Sequence, residues 1–161
     1  MESSTLTLTS IAFEANAPIP LKYTCDAGAN PPSPPLSISG TPQNAKSFAL
    51  IVTDPDVPRQ LVPTGEFVHW VVFNIPAGTT DIPAGVTVGT AGSNGAGKTA
   101  YAGPCPPPQY EPSEHRYVFT LYALDSKLSL NPGAAKGEVL KAMEGHIVAQ
   151  TQLVGKYKKQ K

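Results

Sequence analysis

An all-β sandwich with long loops and one short helix near the C-terminus is the fold class this sequence predicts, on three observations. The 161 residues hold 18 prolines and 14 glycines, and these punctuate short runs rich in Val, Ile, Phe, Thr and Tyr. Three of those runs are β-branched or aromatic and bounded by turn residues, which is the composition of strands. A helical period appears once, late in the chain.

In order, the first expected strand is Leu6 to Ile11, followed by Pro35 to Ser39 after the entry Pro31-Pro32-Ser33-Pro34-Pro35, which cannot join a central ladder because proline lacks the amide donor. Next come Ser47 to Thr53 (SFALIVT) and Phe67 to Asn74 (FVHWVVFN). Ala77 to Ala100 is rich in Gly, Thr and Ala with little apolar period, so it reads as a long loop, of the kind that tends to be functional. Arg116 to Ala123 (RYVFTLYA) is the fifth strand. Ala134 to Met143 sets Val139, Leu140 and Met143 at helical spacing, with Gly145 as a stop. From Ile147 the apolar positions alternate through Leu153 to Gly155, giving a last strand. One domain, residues 1–161, is the expectation for a chain of this length.

Composition excludes several function classes. Charged residues make up 15% and balance to zero net charge, so no electrostatic footprint for nucleic acid exists. The C-terminal lysines 156, 158, 159 and 161 read as a solvated tail. No apolar run approaches the roughly 18 to 20 residues that span a bilayer, so no stable membrane insertion is expected. The segment Met1 to Thr9 lacks a basic stretch followed by an apolar one, which makes a cytoplasmic location the expectation unless a leader has been removed. Cys25 and Cys105 show no metal or redox spacing. Two buried thiols are the expectation, with a long-range disulfide as the alternative.

Three constellations could carry chemistry. Asp54-Pro55-Asp56-Val57-Pro58 is a stiff acidic corner at a strand end, where one carboxylate faces inward and the other ties down neighbouring backbone. His69-Trp70 lies inside a strand, and strict alternation puts His69 with Phe67 and Val71, and Trp70 with Val68 and Val72. Gly103-Pro104-Cys105-Pro106-Pro107-Pro108 is a rigid loop in which Gly103 and Cys105 keep amide donors. His115 and Tyr117 then share a face of the next strand. Asx-type turns and a satisfied core histidine are the plain structural alternatives for the first two. No GxSxG elbow and no nucleophile pattern is present, Asp54 and Asp56 are too close in sequence for a glycosidase pair, and no dense metal-ligand motif occurs. Neither a cofactor nor a metal is expected.

Taken in this order, DPDVP, FVHWVVFNIP, GPCPPP and HRYVFTLYAL resemble the phosphatidylethanolamine-binding protein family, in the variant of its bacterial and archaeal Raf-kinase-inhibitor-like branch. The resemblance runs from Leu6 through Pro34 to Leu36 and on to GHIVAQTQLVGKY. It implies antiparallel sheets and a small pocket accepting phosphate, phosphorylethanolamine, acetate or cacodylate. Carried over by motif, that pocket uses Asp54, Asp56, His69, Gly103, Cys105, Pro106, His115 and Tyr117, with His69 and Tyr117 donating to the anion and Asp54 orienting His69 or pairing with an ammonium group. Thr64 and Phe67 stand where eukaryotic members carry Tyr and Trp, which removes a phenol donor and an aromatic wall. The implied partners are a small anion or phosphorylated headgroup, a regulated protein such as a kinase, and a second copy of the chain. The competing expectation is a hydrolase or transferase using His69 with Asp54 as base.

Overall fold

The structure is a computed structural model and describes residues 5–161; the first four residues of the expected domain lie outside that description. Eight strands and one helix follow in the order β1 (Thr7–Thr9), β2 (Leu36–Ser39), β3 (Ser47–Asp54), β4 (Phe67–Pro76), β5 (Asp81–Ile82), β6 (Thr90–Ala91), β7 (Glu114–Leu124), α1 (Lys136–Met143) and β8 (Ile147–Lys158). They form two antiparallel sheets, β1-β2-β5 and β6-β4-β3-β7-β8.

β3 is apolar from Phe48 to Val52 because both of its faces are covered there. Phe48, Leu50 and Val52 pack with Leu8, Leu36, Ile38 and Ile82 of the smaller sheet, while Ala49 and Ile51 pack with Val139 and Met143 of α1. A strand buried on both faces shows a continuous hydrophobic run, not an alternating one. Each fully buried large side chain adds about 1.5–3 kcal/mol relative to exposure, so this central strand anchors both layers.

α1 starts two residues later than its periodicity suggested, where the Glu138 carboxylate accepts from the Ala135 amide at 3.0 Å. Val139 and Met143, four residues apart, are buried, whereas Leu140 turns to solvent. Gly145, at φ +81°, takes the chain out of the helix in a conformation that costs a Cβ-bearing residue free energy.

The segment 77–100 corrects the expectation of an unpaired loop. It contributes β5 and β6, each two residues long, which extend the two sheets by pairing with β2 and β4. Between β6 and the cavity described below, the Asn94 carboxamide accepts from the amides of Ala96 at 2.8 Å and Lys98 at 3.2 Å and donates to the Ala100 carbonyl at 2.8 Å. That side chain substitutes for a ladder in a stretch whose sequence offers no apolar period.

Candidate functional site

At one end of the larger sheet a cavity of about 450 Å³ is lined by Asp54, Val57, Leu61, Val62, Phe67, His69, Ala102, Gly103, Cys105, Pro106, Pro107 and His115. The residues arrive from five places. β3 ends on Asp54, the β3–β4 loop supplies Val57, Leu61 and Val62, β4 begins with Phe67 and carries His69, β7 begins with Glu114-His115, and the loop 102–107 closes the remaining side.

His69 is the extra residue of a β-bulge. Val52 pairs with Trp70 and Thr53 with Val68, so nothing on β3 stands opposite His69. The bulge breaks the alternation the sequence implied. Val68 packs with Val71 on the helix side and Trp70 with Val72 on the other, and His69 lies with Tyr117 on Trp70's side, ring centroids 5.2 Å apart. Bulges re-aim single side chains in this way. Phe67 closes the other flank of the imidazole, edge-on at 4.8 Å.

The proton on His69 is fixed by its partner. Its Nδ1 lies 2.7 Å from the Ala102 carbonyl, which only accepts, so Nδ1 carries hydrogen and Nε2 of the neutral ring is left as an acceptor. Ala102 returns the contact, its amide donating to the His69 carbonyl at 2.8 Å. Burial holds the imidazole below the ordinary histidine pKa of 6.5, outweighing the upward pulls of the Ala102 hydrogen bond and the Asp54 charge.

Asp54 orients a different histidine from the one expected. Its Oδ2 accepts from His115 Nδ1 at 2.6 Å, and its Oδ1 accepts from the Asp56 amide at 2.8 Å. The reason is topological, since β3 and β7 are hydrogen-bonded neighbours and bring residues 54 and 115 together at their ends. His115 is 1% exposed, and its Nε2 has no hydrogen-bond partner among the described residues. Tyr117 stacks beside it with centroids 6.4 Å apart, its buried hydroxyl close to the Asp54 carboxylate. Burial, then the negative charge of Asp54, pushes that phenol well above its usual range, so it stays protonated.

Asp56 lies outside the cavity, on a neighbouring concavity shared with Arg116 and Lys156. It ties down backbone, as the sequence suggested for one of the two carboxylates: Oδ2 accepts from the Arg116 amide at 2.8 Å and from Nε at 3.0 Å, and Oδ1 accepts from the guanidinium at 2.8 Å. Those donors lower its pKa. Tyr117 sits behind the lining, while Gly103, Cys105 and Pro106 form part of it.

The cysteines are joined. Cys25 and Cys105 form a disulfide with Cα atoms 5.4 Å apart, and Cys25 N–H donates to the Pro104 carbonyl at 3.1 Å. This overturns the expectation of two thiols. Their separation of 80 residues gave no sequence signal for the pairing. Gly103 is required by close approach, for a Cβ there would stand 2.5 Å from Pro31 Cγ and 3.2 Å from Thr24 backbone.

Sequence reasoning missed the apolar wall of Val57, Leu61, Val62 and Pro107 and the carbonyl of Ala102. An available signal was the run of aliphatic residues in a proline-bounded loop after DPDVP, where solvent exposure would favour polar ones. That loop is fastened to α1, since Glu66 at its end pairs with Lys136 at 2.6 Å. Among the described residues no group of three or more His, Cys, Asp or Glu side chains is placed to hold a metal, and no helix is long and apolar enough to cross a membrane.

The family model for phosphatidylethanolamine-binding proteins matches residues 9–158. The chain belongs to the phosphatidylethanolamine-binding protein family. Within it, the chain falls in the bacterial and archaeal UPF0098 branch related to Raf-kinase-inhibitor-like proteins. It is 44% identical over 153 residues to a UPF0098 protein of Chlamydia trachomatis, covering 94% of this chain and 98% of the relative. To a UPF0098 protein of Methanothermobacter thermautotrophicus it is 44% identical over 161 residues, covering 96% and 99%. The crystal structure of a phosphatidylethanolamine-binding protein homolog from Chlamydia trachomatis superposes with a TM-score of 0.89 at 42% identity, over 98% of this chain and all of that one. YbcL of E. coli, described as a member of the mammalian family, gives 0.82 at 27% identity, over 96% and 99%.

Proposed function

We propose that this phosphatidylethanolamine-binding family chain binds a small oxyanion or phosphorylated group in the cavity floored by Asp54, His69 and His115. The observation that carries the reading is the convergence of two buried histidines, each with Nδ1 committed to an acceptor and Nε2 left over, at the base of an otherwise apolar cavity. Cavities of this size with few convergent polar groups are the usual form of a small-molecule site. The volume exceeds what a bare phosphate fills, and the aliphatic mouth suits the substituent of a phosphoester.

The test is a titration with inorganic phosphate and O-phosphorylethanolamine, followed by NMR at the His69 and His115 rings. Saturable shifts at both are expected. Silence at both, up to millimolar ligand, would overturn the reading.

A hydrolase built on His69 with Asp54 has less support. Asp54 serves His115 instead, no Ser or Thr side chain is among the described residues lining the cavity, and Cys105 is spent in the disulfide. Regulation of a protein partner such as a kinase, and pairing with a second copy, rest on the family relation alone. For location, a disulfide is a feature of oxidising compartments in mesophiles; cell fractionation tests that against a cytoplasmic location.

A further inference from the structure

We infer that the cavity selects oxyanions that carry a proton, hydrogen phosphate or a singly protonated phosphomonoester, over sulfate, and that Asp54 sets this selectivity. The inference rests on the oxyanion reading above and adds which oxyanions fit.

The polar side chains lining the cavity are Asp54, His69 and His115, and among the described residues no lysine or arginine joins them. His69 keeps its hydrogen on Nδ1, against the Ala102 carbonyl, so the neutral ring offers the cavity a lone pair. The Asp54–His115 pair is neutral when His115 is protonated and negative when it is not. Without a proton on His69, the three side chains therefore carry no net positive charge. Protonating that ring is opposed by burial and by the His115 charge.

A fully deprotonated dianion would thus meet a carboxylate and a lone pair in a low-dielectric setting, with no fixed cation to offset the lost hydration. A ligand that brings its own hydrogen reverses part of this. Its P–OH donates to His69 Nε2 or to a second lone pair of the Asp54 carboxylate, while its charged oxygens take whatever donors the pocket offers. Rejecting an isostere that lacks a required hydrogen is what buried acceptors do best, because the unpaired acceptor costs the complex its desolvation energy.

The groups facing His69 are Phe67 on its own strand, Tyr117 and His115 on β7, and Asp54 on β3. Of these only Asp54 is anionic, which makes it the residue that repels an unprotonated dianion.

The experiment is calorimetric titration of the full chain at pH 7.5 and constant ionic strength with sodium phosphate and, separately, sodium sulfate. At this pH phosphate keeps at least one proton and sulfate keeps none. Phosphate is expected to bind at least tenfold more tightly. Equal affinities would overturn the selectivity while leaving oxyanion binding intact; no binding of either would overturn both readings. Asp54→Asn, checked for an unchanged amide fingerprint, is expected to bring the two affinities within about threefold by removing the charge and keeping an acceptor for His115. An unchanged ratio in a folded Asp54→Asn protein would remove Asp54 from the role. Wild-type selectivity is tested independently of that variant.

Discussion

His115 donates from Nδ1 to Asp54 Oδ2 at 2.6 Å across two neighbouring strands, with side chains only 1% and 4% exposed. The pair closes the polar floor of the cavity and also bolts the ends of β3 and β7 together. Its structural and ligand-facing roles are separable, because only the Nε2 side of His115 is without a partner.

Removing the acceptor should therefore destabilise the fold. Asp54→Ala leaves a buried donor unsatisfied and should cost about 1–3 kcal/mol, whereas Asp54→Asn keeps an acceptor and should cost less. Urea unfolding checks this through the midpoint at unchanged slope; equal losses for the two variants would show that the hydrogen bond is not the source.

Ligand binding should take up protons. Burial holds His69 below its ordinary pKa of 6.5 and so keeps it a neutral acceptor, and the proton a bound phosphate shares with Nε2 is held on the ligand, so occupancy raises the second pKa of the phosphate. A group whose pKa rises on binding strengthens binding as pH falls. Phosphate calorimetry in buffers of differing ionisation enthalpy reads net proton uptake directly, and zero uptake at pH 7 contradicts the linkage.

The disulfide should contribute strongly to stability. Closing a loop of 80 residues restricts the unfolded chain by about 4.5 kcal/mol in the chain-entropy treatment. Reduction, or the double substitution of Cys25 and Cys105 by Ala, should lower the urea midpoint accordingly. A loss below about 1 kcal/mol would place the bond's role in shaping the cavity wall instead.

Gly103→Ala should weaken phosphate binding more than it weakens the fold. The added methyl would be forced against Pro31 and the Thr24 backbone, and the loop that yields also carries Cys105 and Pro106 into the cavity. Overpacking of this kind costs about 1–3 kcal/mol. Unchanged phosphate affinity would mean that the loop absorbs the methyl without moving the wall.

Acid should release the C-terminal segment in a defined window. Asp26 accepts from the Tyr157 hydroxyl, the Gln160 amide at 2.8 Å and Lys159 at 3.1 Å. The Tyr157 hydrogen bond first, then the Gln160 amide, lowers its pKa from 3.8 to about 2. Because the folded value is depressed, its stabilisation is present above pH 3.8 and is lost as pH falls through about 2. The Gln160 amide resonance should titrate with a midpoint near that lower value; a midpoint at the ordinary aspartate value would show that the tail is not held by this carboxylate.

Much of this protein was legible locally. The SFALIVT, FVHWVVFN and RYVFTLYA runs became β3, β4 and β7 because β-branched and aromatic side chains suit a pleated, buried surface, and turn residues bound each run. The division of labour between Asp54 and Asp56 also followed from the stiffness of a proline-flanked acidic corner. Tertiary structure decided the rest. Sheet order placed His115 rather than His69 against Asp54, and a bulge opposite Val52 and Thr53 turned His69 and Trp70 to one side of the sheet. The same three-dimensional approach brought Cys25 within 5.4 Å of Cys105. Strand pairing, register irregularities and the tautomer of a buried histidine depend on which distant groups arrive beside a residue, and local side-chain period carries no information about that.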